Sequence, residues 1–427
     1  AMELAILLVL LGLLIGLGVP IAFSLGAASL ATFFLLDIPS IVAFQRMAAG
    51  MNVFTLMAIP FFVFAGELMA RTGIAERLVQ VAEAAFGRAR GGLGQVDVGA
   101  SMMFGAVSGS AAASVSAMGS TLMPMMKEKG YDSDYAVNVT VTAAILGILI
   151  PPSHNMIIYA AASPVSISIG DLFLAGVVPG LLAGAALMFA AWRVAVKRGY
   201  PKGKFPGWRV FTRALILAFP GLMTALIIVF GILFGVFTPT ESSAVAVIYT
   251  IVIGALVYRT LGWARFLEAA ASAVRTTAMV MMIIATAGMF GWLFAILEGP
   301  AMLAGSLSAV SDDPAIIMLM MLIILLILGA FMDMAPLIII MTPIFLPVAM
   351  ATGVDPVHFG IVMLLNLGIG LVTPPVGSVL FVGCAVGNAK PEQVIRTIWP
   401  FYLALILVML LVAYVPALSL WLPGQFS

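Results

Sequence analysis

The sequence contains an internal repeat whose two copies each hold a pair of adjacent prolines. The pair in LGILIPPSHNMIIYA at 146–160 recurs in LGIGLVTPPVGSVLF at 367–381, and Pro151 moves to Pro374, an offset of 223 residues. Five further pairs keep this offset, namely Pro124 and Pro347, Gly130 and Gly353, Asp132 and Asp355, Val139 and Val362, and Gly147 and Gly370. Chance seldom maintains one register over such a length. In apolar sequence, a duplicated span interrupted by Gly or Pro points to a transporter's binding site near the bilayer midplane.

The composition indicates a chain surrounded by lipid. Of its 427 residues, 63% are hydrophobic and 9% are charged, whereas a typical soluble domain is about 25% charged. The first apolar segment carries Glu3 rather than a basic start, so we expect a retained helix and not a signal peptide. A net charge of +1 excludes nucleic acid as an expected partner. One cysteine, Cys384, and two histidines exclude internal disulfides and make a zinc site implausible.

The expected fold class is an all-α polytopic membrane protein. Membrane helices are predicted near 4–35, 53–72, 133–163, 169–195, 214–236, 240–258, 276–297, 356–386 and 397–422. Residues 92–127 and 314–350 differ, because each is too long for one crossing while a polar break leaves halves too short for about 30 Å of hydrocarbon. Each is predicted to be a re-entrant helical hairpin, with its tip buried against a Pro-Pro break, since lipid does not tolerate unpaired backbone.

Basic residues determine the expected orientation. Seven of the 19 lie between Arg193 and Arg213, a loop that the positive-inside rule places in the cytoplasm and that we interpret as a solvated connector. Residues 298–313, with three acids and no Lys or Arg, then fall outside. The first hairpin would enter from the cytoplasm and the second from the periplasm, so the repeats are predicted to be inverted. Ile74–Phe86 and Trp263–Arg275 have the amphipathic pattern of interfacial helices.

These assignments divide the chain into five parts. They are an N-terminal scaffold helix and connector (1–52), a first inverted repeat (53–198) with hairpin 92–127 and broken helix 133–163, a cytoplasmic basic linker (199–213), scaffold helices with an interfacial arm (214–275), and a second inverted repeat (276–427) with hairpin 314–350 and broken helix 356–386. The interfacial helices either anchor a fixed frame or carry a moving domain, and the sequence does not choose between these roles.

The middle of the first hairpin is rich in small residues. From 105 to 120 it reads GAVSGSAAASVSAMGS, in which 13 of 16 residues are Gly, Ala or Ser. Small residues permit close packing of membrane helices, which explains the alanines. Ser108, Gly109 and Ser110 form the break, where hydroxyl and carbonyl oxygens can ligate a hard cation. We interpret the break as an ion or substrate site, with close packing as the alternative.

The second hairpin breaks at GAFMDMAP, which runs from Gly329 to Pro336 and contains Asp333. An acid within a membrane is costly and usually marks an ion or proton pathway. Alternatively, its carboxylate caps the half-helix that follows. The two roles are compatible, and we predict a cation site.

The Pro-Pro pairs leave the carbonyls before them without intrahelical partners, so these carbonyls are candidate ligands. Oxygen sites without several carboxylates suit Na⁺ better than Mg²⁺ or Ca²⁺. The following half-helices point partial positive charge at the midplane, which suits an anionic substrate. One starts at Ser153, His154 and Asn155, and the other at Gly377 and Ser378. His154 is interpreted as a proton carrier, a substrate hydrogen-bond donor or a structural residue, and His358 as structural.

The predicted core contains no Lys or Arg. The charge of an anionic substrate there would be offset by helix N-termini, hydroxyls, Asn155 and bound cations. Coupling to sodium then has a physical reason, because the empty and fully loaded forms can cross while the half-loaded form cannot.

Five motifs together resemble the large membrane subunit of TRAP (tripartite ATP-independent periplasmic) transporters, within the ion-transporter superfamily. They are SGSAAASVSAMGS, ILIPPSHNMIIY, FTPTESSAVAV at 237–247, GAFMDMAPLIIIMTPIFLP and GIGLVTPPVG. The resemblance implies sodium-driven uptake of a small organic acid across a bacterial inner membrane, by an elevator motion. It implies two protein partners, a periplasmic substrate-binding protein and a small four-helix membrane subunit. We expect the latter as a separate chain, because Met2 begins directly at the first helix.

The resemblance also assigns roles to residues. One sodium site would use Ser108, Gly109, Ser110 and the backbone around Pro151, a second would use Gly329, Asp333 and Thr373, and the substrate would lie near Ser153, His154, Asn155 and Ser378.

Three other functions compete with this interpretation. A self-sufficient anion carrier of the wider ion-transporter superfamily shares the hairpins and inverted repeats but needs no binding protein. A membrane enzyme is disfavoured, because Asp333 lacks a second acid, a nucleophile–base pair or a metal cluster, and no catalytic residue is predicted. A channel is disfavoured because both candidate sites lie in closed hairpin tips rather than in a continuous pore.

Overall fold

The computed structural model describes residues 2–426, apart from the side chain at position 308. Within that range the protein is helical, and the one β pairing is an isolated bridge between Arg90 and Lys202. Six helices are long and apolar enough to cross a membrane, or up to nine spans if each of three bent pairs counts as one. The predicted fold class, an all-α polytopic membrane protein, is confirmed.

The first half of the chain, up to the basic linker, consists of twelve helical segments among the described residues. Their bounds are Met2–Gly16, Ile21–Leu35, Ser40–Met51, the 3₁₀ turn Phe54–Met57, Ala58–Ala70, Ile74–Phe86, Gly92–Ser108, Ala111–Glu128, Ser133–Ala144, Leu146–Leu149, His154–Ala162 and Ile169–Arg198. The two hairpin helices here are Gly92–Ser108 and Ala111–Glu128, and the broken helix runs from Ser133 to Ala162.

The second half repeats several of these helix boundaries. Its segments are Trp208–Leu233, Pro239–Val252, the π-helical Ile253–Val257, Trp263–Ile296, Gly299–Ser308, Pro314–Phe331, Met334–Ala351, Pro356–Leu371, Ser378–Gly387, Pro391–Thr397, Trp399–Tyr414, Ala417–Leu420 and Pro423–Phe426. Both ends of Ala111–Glu128 recur in Met334–Ala351 at the offset of 223 residues. The repeat seen in the sequence is therefore also a repeat of local structure.

The single helix predicted over 4–35 is wrong. Two 15-residue helices in contact with each other occupy this region, and the chain is not helical over 17–20. Gly18 has a left-handed backbone (φ 81°), which ends the first helix. Pro20 directly precedes the second helix, where its missing N–H costs nothing.

Three segments that the sequence places in connectors are helical, namely Ser40–Met51, Gly299–Ser308 and Pro391–Thr397. The separate interfacial segment Trp263–Arg275 is also a wrong prediction. It is the first part of one 34-residue helix, Trp263–Ile296, because neither Gly nor Pro interrupts the chain before Gly288. This helix is about 51 Å long at 1.5 Å per residue, and so exceeds the hydrocarbon thickness.

The length argument for a re-entrant second hairpin is wrong as well. Its helices, Pro314–Phe331 and Met334–Ala351, have 18 residues each and are long and apolar enough to span a membrane. Its assignment as a hairpin therefore depends on what the tip contacts, which is described below.

Each hairpin crosses a broken helix at a pair of glycines. A β-carbon added to Gly105 would lie 2.2 Å from Gly147 Cα, and one added to Gly370 would lie 2.7 Å from Gly329 Cα. Backbones this close leave no room for side chains, as in the small-residue contacts of membrane helices. The two crossings set the position at which each hairpin tip meets its Pro-Pro break.

The helix Ile74–Phe86, which we name the arm helix, has the predicted bounds but buries its apolar face in protein. Ile74 and Leu78 are fully buried. The helix contacts both Gly92–Ser108 and Trp208–Leu233. It therefore joins the first hairpin to the helix that follows the basic linker.

Gly147→Ala is expected to lower the thermal unfolding temperature of the detergent-solubilised protein. The new β-carbon would lie 2.7 Å from Gly105 Cα, and overpacking of this kind costs about 1–3 kcal/mol. Gly12→Ala is the matched control, since Gly12 is helical with nothing within 4 Å of an added β-carbon, and there Ala gains about 1 kcal/mol of helix propensity. Equal unfolding temperatures for the two variants would contradict the close crossing.

Candidate functional site

The tip of the first hairpin is a turn made by Gly109 and Ser110. Gly109 has a left-handed backbone (φ 62°), which glycine adopts without steric cost. The Ser110 hydroxyl accepts a hydrogen bond from the Ala113 N–H at 3.4 Å and so caps the return helix. Ser108 Oγ lies 3.3 Å from Ser114 Oγ and 3.4 Å from the Ser110 nitrogen. The three residues of the predicted break therefore place several oxygens at one tip.

This tip lies directly against the first Pro-Pro break. The Asn155 side-chain amide donates to the Gly109 carbonyl at 3.4 Å. A β-carbon added to Gly109 would lie 3.2 Å from His154 Nδ1 and 3.3 Å from the Pro152 carbonyl oxygen. The broken helix bends by 52° across 150–153, so its second part begins at the hairpin tip.

The second hairpin tip is bonded to the second Pro-Pro break through the backbone. The Ala330 carbonyl accepts hydrogen bonds from the N–H groups of Val376 at 3.3 Å and Gly377 at 3.2 Å. The Thr373 hydroxyl, which lies just beyond the end of Pro356–Leu371, donates to the Ile369 carbonyl of that helix at 2.7 Å. Sequence reasoning missed Ala330, because a backbone acceptor leaves no mark in the residue type.

Asp333 begins the return helix of the second hairpin but does not cap it. Its carboxylate accepts no hydrogen bond from the helix N-terminus, and the side chain is exposed. The capping role considered for it is therefore wrong. Ser110, which occupies the equivalent position of the first hairpin, does cap its helix. The Asp333 carboxylate is left available for other partners.

Both tips and both breaks surround one cavity of about 400 Å³. Five of the predicted site residues line it, and they are Ser110, His154, Asn155, Asp333 and Ser378. The structure thus brings together residues from both halves of the chain that lie up to 268 positions apart in the sequence.

Six predicted site residues do not line this cavity, and they are Ser108, Gly109, Pro151, Ser153, Gly329 and Thr373. Gly329 lies at the glycine crossing, and the Thr373 hydroxyl donates to the Ile369 carbonyl in the preceding helix. The Ser153 hydroxyl is fully buried and has no hydrogen-bond partner among residues 2–426. Leaving a buried hydroxyl unpaired costs about 1–3 kcal/mol, so this atom can gain from a ligand at the first break.

A profile of the family described as "Tripartite ATP-independent periplasmic transporter, DctM component" matches residues 7–418. The chain belongs to this family. It is 40% identical over 417 residues to the sialic acid TRAP transporter large permease protein SiaM of Vibrio cholerae, with 97% of each chain covered. It is 37% identical to the C4-dicarboxylate TRAP transporter large permease protein DctM of Rhodobacter capsulatus, with 98% of each chain covered. The protein is therefore a TRAP large permease, and not an enzyme.

A solved structure supports the fold of this TRAP permease. The YdaH transporter of Alcanivorax borkumensis matches it with a TM-score of 0.60 at 14% identity, covering 90% of this chain and 88% of that chain. The two proteins therefore share a transporter fold despite little sequence similarity.

Part of the permease's cavity wall was not predicted from the sequence. Pro20, Thr276 and Met279 line the cavity from outside the hairpins and broken helices. Pro20 lies in the interruption of the N-terminal helix pair, and Thr276 and Met279 lie in Trp263–Ile296. These residues have no distinctive type or spacing, so only the tertiary structure identifies them.

The first hairpin of the permease contains a buried acid that was also missed. Asp97 is fully buried, with Thr140 Oγ1 at 2.5 Å and Ser101 Oγ at 3.2 Å from its carboxyl oxygens. The contact with Thr140 ties the hairpin to the first broken helix. An acid inside a predicted hairpin was the available signal, and it is the same signal that identified Asp333.

Proposed function

We propose that this permease takes up a small organic acid together with sodium ions across a bacterial inner membrane. It receives the substrate from a periplasmic substrate-binding protein and works with a small four-helix membrane subunit in a separate chain. The family is tripartite and periplasmic by description. The relatives SiaM and DctM are named for sialic acid and C4-dicarboxylates, which are carboxylic acids. These two relatives thus favour a carboxylate as the substrate class.

The observation that carries the proposal is the charge of the shared cavity. Among the described residues that line it, Asp333 is the only charged one. A substrate carboxylate about 4 Å from this acid would be repelled by about 4 kcal/mol at an effective dielectric constant of 20. A bound cation offsets this repulsion. The composition of the cavity wall therefore supports the proposed symport of a cation, sodium, with the anion.

The two hairpin tips are the proposed sodium sites. One uses the oxygens of Ser108, Gly109, Ser110 and the backbone around Pro151, and the other uses Gly329, Asp333 and Thr373. The candidate ligands are the oxygens of carbonyls, hydroxyls and one carboxylate, a set that suits a monovalent hard cation. The uncapped Asp333 carboxylate favours the second site, and the unpaired Ser153 hydroxyl favours a ligand close to the first.

The substrate carboxylate is proposed to lie between the tips, near Ser153, His154, Asn155 and Ser378. Two half-helices, His154–Ala162 and Ser378–Gly387, begin at the cavity wall. Their free N–H groups and partial positive charge favour an anion, although the described cavity wall contains neither Lys nor Arg.

The proposed motion is an elevator, in which hairpins and broken helices move together against a fixed scaffold. The two halves, inverted in the membrane, would then expose the same cavity to either side. Direct contacts between the hairpins and the broken helices support their movement as one unit. The Ala330 carbonyl is hydrogen-bonded to the second break, and the Asn155 side chain is hydrogen-bonded to the first hairpin tip. Pro20 and Thr276 would belong to the scaffold wall that the unit passes.

Asp333→Asn is expected to reduce sodium-dependent uptake to background in proteoliposomes, because it removes the one protein charge among the described residues of the cavity wall. Assembly with the small subunit should be unchanged. Asp313→Asn is the matched control in the same hairpin, where the native carboxylate caps Ala315 and Asn also caps well. Wild-type sodium dependence in Asp333→Asn would refute its role.

Ser108→Ala combined with Ser110→Ala is expected to raise the sodium concentration for half-maximal uptake by roughly tenfold, which corresponds to about 1.4 kcal/mol. Two candidate oxygens are lost from the first tip. Ser116→Ala with Ser120→Ala is the control, since both serines are exposed in the same return helix. An unchanged sodium curve in the Ser108 and Ser110 variant would remove these residues from the site.

Uptake is also expected to stop when the binding protein is omitted from proteoliposomes that contain both membrane subunits. The measurement is sodium-gradient uptake of candidate carboxylates with and without the soluble protein. Full-rate transport without it would instead support the self-sufficient anion carrier.

A further inference from the structure

The cytoplasmic basic linker forms one wall of a groove that has no described lining residue in common with the shared cavity. Two adjoining cavities, of about 470 and 280 Å³, share Glu83 and Lys204 in their walls. We name them together the basic groove. Its charged residues are Glu83, Lys129, Lys202, Lys204 and Arg213. The other walls are the arm helix, the first turns of Trp208–Leu233, and residues 92, 93, 129 and 131 at the two ends of the first hairpin.

The basic groove has an excess of positive charge. Glu83 lies 3.8 Å from Lys129 in an ion pair. Lys202, Lys204 and Arg213 form no ion pair with any residue in the described range 2–426. Three cations therefore converge on the groove without an acidic partner, and charge complementarity favours an anion.

The linker backbone that carries these lysines is held in place. The Gly91 N–H donates to the Pro201 carbonyl at 3.0 Å, and the backbone of Lys202 pairs with that of Arg90 in an isolated antiparallel β-bridge. Gly203 packs so closely on the turn before the hairpin that an added β-carbon would lie 1.9 Å from the Gly87 carbonyl oxygen. The groove is therefore a formed site and not a loose loop.

Apolar surface continues from the basic groove along the helix Trp208–Leu233. Val210 and Leu217 line the groove and are exposed. Next to it, Trp208 is 74% exposed and packs edge to face on Phe205 at 5.5 Å. Exposed tryptophan beside basic residues is typical of the membrane–water interface. A ligand with a phosphate head and an apolar tail matches both parts.

We infer that the basic groove binds the headgroup of an anionic phospholipid, with the phosphate near Lys202, Lys204 and Arg213 and the acyl chains along Val210 and Leu217. Basic pockets on the cytoplasmic side of membrane helices bind such headgroups. The bound lipid would hold the arm helix to Trp208–Leu233. Because Gly92 and Leu93 also line the groove, the lipid would lie where the arm helix leads into the first hairpin.

The test measures binding of phosphatidylglycerol and phosphatidylethanolamine to the delipidated full chain by native mass spectrometry. The wild type should retain phosphatidylglycerol in preference to phosphatidylethanolamine. Lys204→Gln with Arg213→Gln should weaken phosphatidylglycerol binding by about tenfold or more. Lys204→Arg with Arg213→Lys should keep it. Thermal unfolding of each variant confirms that the chain is folded.

Lys197→Gln with Arg209→Gln is the matched control, because both residues are exposed, lie in the same basic region and do not line the groove. It removes the same charge and should leave binding within twofold. Equal loss in the two double variants would overturn the site, since a diffuse charge effect would explain it. Displacement of the lipid by millimolar inorganic phosphate would overturn the assignment to lipid. The measurement needs no transport activity, so its outcome is independent of the proposed function.

Discussion

The structure depends on the need of interrupted helices to satisfy their backbone groups in an apolar environment. An unpaired carbonyl or N–H costs several kcal/mol where water is absent. Each interruption here is satisfied by another one. The Ala330 carbonyl of the second tip accepts from Val376 and Gly377 in the second break, and the Gly109 carbonyl of the first tip accepts from Asn155. Tips and breaks therefore meet, and the cavity between them is a consequence of that pairing.

The two halves share a backbone plan but differ in chemistry. Gly105 and Gly329 play the same part, since each lets a hairpin cross a broken helix at backbone contact. Ser110 and Asp333 occupy equivalent positions but differ in role, because the serine caps its helix and the aspartate does not. The first half thus contributes the neutral oxygen of Ser110 to the cavity, and the second half contributes the charged carboxylate of Asp333. The two halves therefore combine a shared backbone geometry with different side chains at the tips.

Sequence reasoning located the hairpins, the breaks and the cavity residues Ser110, His154 and Asp333, because Gly, Pro and isolated polar residues are conspicuous in apolar sequence. It failed where the signal was weak or non-local. The interruption at 17–20 depends on one glycine and one proline in a long apolar run. The scaffold wall is made by ordinary residues such as Thr276, whose place is set by packing alone. Site roles remain predictions, since ligation depends on which oxygens face a shared space, and neither composition nor spacing encodes that.

Charge is distributed unevenly over the molecule, which its small net charge does not reveal. A chain with a net charge of +1 concentrates seven of its 19 Lys and Arg residues within Arg193–Arg213, while the described residues of its cavity wall include one acid and neither Lys nor Arg. A Lys or Arg in the cavity would bind a carboxylate in every state. Release of the substrate would then require the full free energy of breaking that ion pair. Under the proposed sodium coupling, a dissociable cation would supply the positive charge instead, and substrate affinity would fall when the ion leaves. The absence of Lys and Arg from the described cavity wall therefore supports the proposed coupled release as well as the proposed coupled binding.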